Sequence, residues 1–411
     1  MPFTVWVFDQ RLTVDGAETP IANARVAFDP AGGGPRVTST TAPDGHVTFD
    51  GDFSQGGASV TVLSDNHAYV TMLEASPDTA RARPNTLGKP PADLVILPLR
   101  LDDVAESLTV ELRGNLFAFK EPTNAVALAS SALARLGAAT ALEPRYALRA
   151  PRGRPFFVLG AALTSFIDPA GNPVSNDLVK AFRIDLPARE DDQLLDIDLA
   201  TIPALPSRTL RMRAELPQVA GTPFGPGTRA LASVLSADSA LTLGIFSSST
   251  TTSDARAFDL SVTLVTTDIA PERPLTQALL IAPDGSRSVR TEQGIAAEGT
   301  NWNDFAAPPT VRDPDAPRTA RDPIPLDGFP PGAELTVRVF AGGQLFWILY
   351  GPPGGPRASS FTIPYRDEVA STDVQVFAVS VVAQSDRVDL PSYGSFYRRT
   401  ASFRDLRISK R

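Results

Sequence analysis

Short runs of apolar and β-branched residues, broken every few positions by Pro, Gly and Asp, recur along almost the whole chain. A period of two can bury one face only as a strand, so the pattern leaves sheet as the main building material. Leu194-Leu195-Asp196-Ile197-Asp198-Leu199 and Thr209-Leu210-Arg211-Met212-Arg213 alternate strictly, as strands with one wet face do. Over residues 3–100 the runs Thr4-Val5-Trp6-Val7-Phe8, Ala24-Arg25-Val26-Ala27-Phe28, His46-Val47-Thr48-Phe49, Ala58-Ser59-Val60-Thr61-Val62-Leu63 and Leu94-Val95-Ile96-Leu97 have the spacing of a β-sandwich. Asp44-Gly45 supplies the positive φ of a tight hairpin turn.

A chain of 411 residues exceeds one ordinary core, and 43% hydrophobic residues supply several. The expected architecture is all-β, as tandem antiparallel β-sandwiches of transthyretin-like or immunoglobulin-like type with at most one or two short helices. Three domains are expected, at 1–102, 103–255 and 256–411. The Ala- and Leu-rich segment 124–142 is the one expected helix, although its small residues would also suit a tightly packed strand pair. Phe258-Asp259-Leu260-Ser261-Val262 and the later Pro283-Asp284-Gly285 turn echo the opening of the chain, a weak internal repeat. Residues 296–325 carry Pro308, Pro309, Pro314, Pro317, Pro323 and Pro325, and predict a long irregular loop of the kind that is functional or disordered.

Pro20-Ile21-Ala22-Asn23-Ala24-Arg25-Val26, followed by Thr40-Thr41-Ala42-Pro43-Asp44-Gly45-His46-Val47-Thr48-Phe49, resembles the first half of carboxypeptidase-regulatory-like and related transthyretin-like domains. The resemblance covers about a quarter of the chain. Such domains continue with a Gly-x-Tyr strand and a Gly-Tyr pair, where this chain has Gly57-Ala58-Ser59-Val60 and His67-Ala68-Tyr69. The resemblance implies a fold and an accessory role, with no catalytic residue to carry over.

The net charge of −8 argues against nucleic acid and anionic membrane surfaces as partners. Zero cysteines remove disulfides, thiolate metal sites and Cys nucleophiles together. The most apolar window, 125–142, is interrupted by Arg135 and Gly137 and is a poor membrane span, so no membrane insertion is expected. Met1-Pro2-Phe3-Thr4-Val5 begins as a strand with no basic leader, which favours a cytoplasmic or particle-associated protein over one exported with a cleaved leader.

The chain contains no nucleophile elbow, zinc-binding His-Glu-x-x-His, Walker loop, dinucleotide fingerprint or EF-hand. Its two histidines, His46 and His67, are expected at exposed or strand-edge positions. Asp191, Asp192, Asp196 and Asp198 form the densest acidic cluster and are weak calcium candidates, since Asp196 and Asp198 share a strand face. A carboxylate-pair hydrolase needs no local motif and would require a deep acidic cleft. Trp302 and Phe305 sit among polar neighbours in the long loop, as a buried anchor or as a contact for a sugar or a protein partner. Arg398, Arg399, Arg404 and Arg407 make the C-terminus basic, consistent with an edge strand guarded by charge or with a contact to an acidic patch on a neighbouring subunit.

The function expected from these features is non-catalytic: a structural or adhesive β-sandwich protein without a cofactor, working with protein partners as a homo-oligomer or as a subunit of a phage-like particle, injection apparatus or surface structure. The alternative is an accessory module that binds carbohydrate or another small ligand.

Overall fold

The computed structural model describes residues 2–9, 19–30, 34–50, 58–75, 94–101, 109–117, 125–130, 137–140, 145–153, 155–167, 173–218, 221–236, 242–246, 250–251, 256–265, 274–327, 332–351, 360–363, 372–389 and 395–411. Among the described residues there are strands and turns and no helix. The chain forms two compact units, one of Met1–Asp103, Asp284–Ser288 and Ala306–Arg411, the other of Val104–Pro283 and Val289–Phe305.

The first unit begins with β1 (Pro2–Val7), β2 (Arg25–Asp29), β3 (Val37–Thr40), β4 (His46–Asp50), β5 (Ala58–Leu63), β6 (Tyr69–Ala75) and β7 (Leu94–Ile96). One sheet has the order β4-β1-β7, with β7 parallel to β1. The other runs β3-β2-β5-β6 through antiparallel pairs. Phe3, Val5 and Val7 from the first sheet meet Val26, Phe28, Val60 and Val62 from the second in a common core, so the sandwich predicted from the alternation is formed. The Asp44-Gly45 turn is a corner and not a hairpin: β3 is paired with β2, whereas β4 crosses to pair with β1. Gly45 adopts φ 85°, and a Cβ there would stand 2.5 Å from the Val7 carbonyl oxygen, which restricts the position to glycine.

The second unit contains β8 (Thr109–Phe117), β9 (Ala125–Ser130), β10 (Gly137–Thr140), β11 (Arg145–Pro151), β12 (Phe156–Ile167), β13 (Pro173–Leu186), β14 (Gln193–Leu194) and β15 (Ile197–Asp198). Sheet β10-β9-β12-β13 packs on β11-β8-β14 around Leu112, Leu148, Val158 and Phe182. The helix expected at 124–142 is therefore corrected to two strands: Ala125–Ser130 pairs with β12 and Gly137–Thr140 with β9. Local helix propensity loses to sheet pairing, because β9 completes a ladder between β12 and β10.

The same unit continues with β16 (Ser207–Glu215), β17 (Arg229–Ser236), β18 (Thr242–Phe246), β19 (Thr250–Thr251), β20 (Ala257–Val265), β21 (Pro274–Ile281), β22 (Arg287–Gln293), whose first two residues belong to the first unit, and β23 (Thr300–Trp302). β16 pairs with β20 over nine residues, from Ser207↔Val265 to Glu215↔Ala257, so strands on either side of the expected boundary at 255/256 lie in one sheet. Leu210, Met212 and Ala214 stand beside their cross-strand partners Val262, Leu260 and Phe258 in a core shared with Ala230, Ala232 and Leu280.

The first unit resumes with β24 (Thr310–Val311), β25 (Ile324–Asp327), β26 (Glu334–Ala341), β27 (Gln344–Tyr350), β28 (Ser360–Phe361), β29 (Val376–Asp389), β30 (Ser395–Ser402) and β31 (Leu406–Ser409). β27 pairs parallel to β6, and β26, β29 and then β30 and β31 extend the sheet. Residues 1–103 and 306–411 thus share a sheet. The join is a row of buried polar contacts: Trp347 Nε1 donates to Thr71 Oγ1 at 2.9 Å, and the Thr71 and Thr61 hydroxyls lie 2.9 Å apart. Trp347 and Thr61 are fully buried, and Thr71 is within 1% of it.

The proline-rich stretch 296–325 contains β23, β24 and the start of β25, and it buries Ala296, Trp302, Phe305, Val311, Ala320 and Ile324. The stretch is mostly irregular, as expected, but it is interrupted by these short strands and tied down by its buried side chains. Proline has no N–H to give to a ladder, so the backbone between the strands runs through unpaired segments and turns, such as those closed by Ala316 N to the Asp313 carbonyl and Asp322 N to the Thr319 carbonyl, while its apolar residues pack inward.

Candidate functional site

The acidic segment lies along the edge of β8, with β14 and β15 parallel to it. Asp192 Oδ1 accepts from the Glu111 amide at 2.7 Å, and Asp196 Oδ1 accepts from the Asn115 amide at 2.9 Å and its side-chain amide at 3.1 Å. Asp198 Oδ1 accepts from the Ala200 amide at 2.9 Å, closing a turn. Asp191 is exposed. Tyr146 donates from its hydroxyl to the Leu195 carbonyl at 2.5 Å, and burial pushes that phenol well above its ordinary range. The carboxylates proposed for calcium thus continue a strand edge: three of the four bind backbone N–H groups at separate points along the segment. Among the described residues no group of three or more His, Cys, Asp or Glu is arranged to hold a metal ion.

Trp302 is 3% exposed and Phe305 5%, both within a core cluster, which makes them the buried anchor of the two expected readings and not contact residues on a loop surface. Trp302 belongs to β23, which pairs parallel to β16 with Ala214 opposite Trp302, and its Nε1 donates to Glu292 Oε2 at 3.4 Å. Asn301 and Asn303 point outward on either side. The polar neighbours mark the wet face of a strand and not a solvent-exposed platform.

The basic C-terminus forms two strands on β29, β30 and β31, in place of one guarded edge strand. Arg399 pairs with Asp386 at 2.5 Å and Arg404 with Asp315 at 2.5 Å, so two of the four interface candidates are matched within their own unit. Arg398 and Arg407 are exposed, Arg407 between the buried Leu406 and Ile408. The outer side of β31 is covered at its end: Ser409 N donates to the Arg318 carbonyl at 3.0 Å and Ala320 N to the Ser409 carbonyl at 2.8 Å.

His46 keeps a part-exposed position beside Asp44, with Nδ1 at 2.5 Å from Oδ1, and that hydrogen bond holds the Asp44 carboxyl below its ordinary value. His67 does not lie at an exposed edge. Its side chain is 9% exposed and its Nε2 faces Oδ2 of Asp9, itself 5% exposed, at 3.5 Å. Arg100 Nη1 approaches the same oxygen at 3.6 Å. On the other side of the ring, Nδ1 lies 2.8 Å from the Asp65 carbonyl oxygen and 3.2 Å from Ser64 Oγ. A Ser, a His and an Asp therefore do meet, contrary to expectation, but in the wrong sense for a nucleophile. The Asp65 carbonyl can only accept, so Nδ1 carries a proton and cannot take one from Ser64. Burial draws the His67 pKa down, yet the Asp9 carboxylate and the Asp65 carbonyl outweigh burial and the opposing Arg100 charge, and the net shift is upward from 6.5. Asp9, Ser64 and Arg100 carried no local signal in the sequence, because the cluster draws on the end of β1, a turn and the segment after β7.

No protein-family model matches the chain, and no curated protein matches it. Among solved structures, a candidate adhesin of Bacteroides ovatus aligns with 50% of this chain and 95% of its own at 10% identity and a TM-score of 0.20. The TIE protein of Bacillus anthracis aligns with 74% of this chain and 50% of its own at 8% identity and a TM-score of 0.18. The pilus adhesin SpaC of Lactobacillus rhamnosus GG aligns with 87% of this chain and 44% of its own at 10% identity and a TM-score of 0.17. Similarity at this level assigns no function.

Proposed function

We propose that this protein is a non-catalytic structural or adhesive β protein that works as a subunit of a larger assembly. The observation that carries the reading is how its polar residues are used. The acidic row binds the backbone of β8, Trp302 and Phe305 fill a core, and Arg399 and Arg404 pair with carboxylates of their own unit. Groups committed to holding strands in place suit a scaffold that meets partners through its surface and loops. The likeness of residues 20–49 to carboxypeptidase-regulatory-like domains belongs to the same proposal, in an accessory and non-enzymatic role. A particle-associated location is proposed with it.

Light scattering on the purified full chain across a concentration series, with negative-stain images of the same fractions, tests this reading. A defined oligomer or filament is the expected result. A strict monomer at every concentration would overturn the self-assembling form.

A further inference from the structure

We propose that Asp9, His67 and Arg100 form a proton-operated clasp that holds residues 97–101, the chain leaving the N-terminal sandwich, against the turn at residues 64–67, and that it loosens when the His67 ring loses its proton. The backbone of the clasp is a short antiparallel ladder. Ala68 N donates to the Leu99 carbonyl at 2.8 Å, Leu101 N donates to the Asn66 carbonyl at 2.7 Å, and His67 and Arg100 are the bridge partners between them. Asn66 turns the chain into this ladder with φ 61°. Bridge partners project to the same face of a ladder, so two cationic side chains stand side by side there, and like charges so placed repel. The Asp9 carboxylate, brought in by the end of β1, sits at 3.5 Å from one and 3.6 Å from the other.

The groups around the ring decide what deprotonation does. Asp9 faces Nε2 from the chain just after β1, Arg100 lies alongside from the exit segment, and Ser64 Oγ and the Asp65 carbonyl face Nδ1 from the turn. Only the protonated ring has an N–H for both the Asp9 carboxylate and the Asp65 carbonyl. The neutral ring keeps one N–H and loses its charge, so the ionic attraction to Asp9 ends and one ring lone pair is left against an oxygen in a site shielded from water. The folded state binds this proton more tightly than the unfolded chain does. The contribution of the clasp is therefore complete below about 6.5 and disappears as pH climbs through the raised folded-state value.

Only two histidines are present, so the imidazole NMR signals of the full chain are assigned by one variant, His46→Gln. The His67 signal is expected to titrate above 6.5, and Asp9→Asn should lower its midpoint. Amide exchange at Ala68 and Leu101, corrected for intrinsic base catalysis, provides the second readout. Between about pH 5 and about pH 9 protection should fall by about tenfold for each pH unit that separates the folded and unfolded midpoints. In His67→Gln that dependence should vanish. A His67 midpoint at or below 6.5, or protection in the unmodified chain that does not change with pH, overturns the clasp. Neither outcome bears on oligomeric state.

Discussion

The first unit joins residues 1–103 to 306–411 through a dry contact, whereas the second holds its acidic segment to β8 through a wet one. At the dry join, Trp347 and two threonines have no water to turn to if a partner is lost, so each hydrogen bond is worth its full desolvation penalty. At the wet edge, Asp192 and Asp196 bind backbone N–H groups that solvent could serve instead. The chemistry is the same in kind, a side-chain oxygen accepting an N–H. Its energetic weight is set by the surroundings, and the difference between a fastener and a trim is burial.

The largest test of this contrast is Trp347→Ala, which empties a fully buried indole site. It should cost about 3–5 kcal/mol in urea unfolding of the first unit, and a loss under about 1 kcal/mol would show that the join does not hold the unit together. Next, Thr71→Val keeps the shape but orphans the Trp347 N–H, with an expected loss of about 1–3 kcal/mol. Added to Trp347→Phe it should cost markedly less than on its own, and simple additivity in that double-mutant cycle would dissolve the proposed pair. On the wet side, Gly114→Ala places a Cβ 1.9 Å from the Leu195 carbonyl oxygen. The segment must move, and a loss of about 1–3 kcal/mol is expected, with faster amide exchange at Leu195. Asp192→Ala and Asp196→Ala should each cost only about 1 kcal/mol or less. A loss from either as large as that of Thr71→Val would erase the distinction between the two regions. Smallest of all, Arg399→Ala removes an exposed ion pair and should stay within about 0.5 kcal/mol.

The legible parts of this molecule were those whose signal is local. The alternation in residues 209–213 became β16 with Leu210 and Met212 buried, and the N-terminal runs became a sandwich. Gly45 was identifiable from its turn because only glycine tolerates its φ. The segment 124–142 was misleading for a physical reason: alanine favours helix in isolation, and the pairing of β9 with β12 is visible only once β12 is in place. The Asp9, His67 and Arg100 cluster left no trace for the same reason, since three segments each contribute one ordinary residue.

Sequence alone determined that this chain would be sheet, free of disulfides and acidic, because period, cysteine count and charge are properties of residues and their neighbours. Tertiary structure alone decided that Asp44-Gly45 would be a corner, that β16 and β20 would share a sheet, and that β6 would take β27 as its partner. Strand pairing satisfies backbone groups common to every residue, so the identity of the partner is written not in either strand but in which apolar faces fit together when both are present.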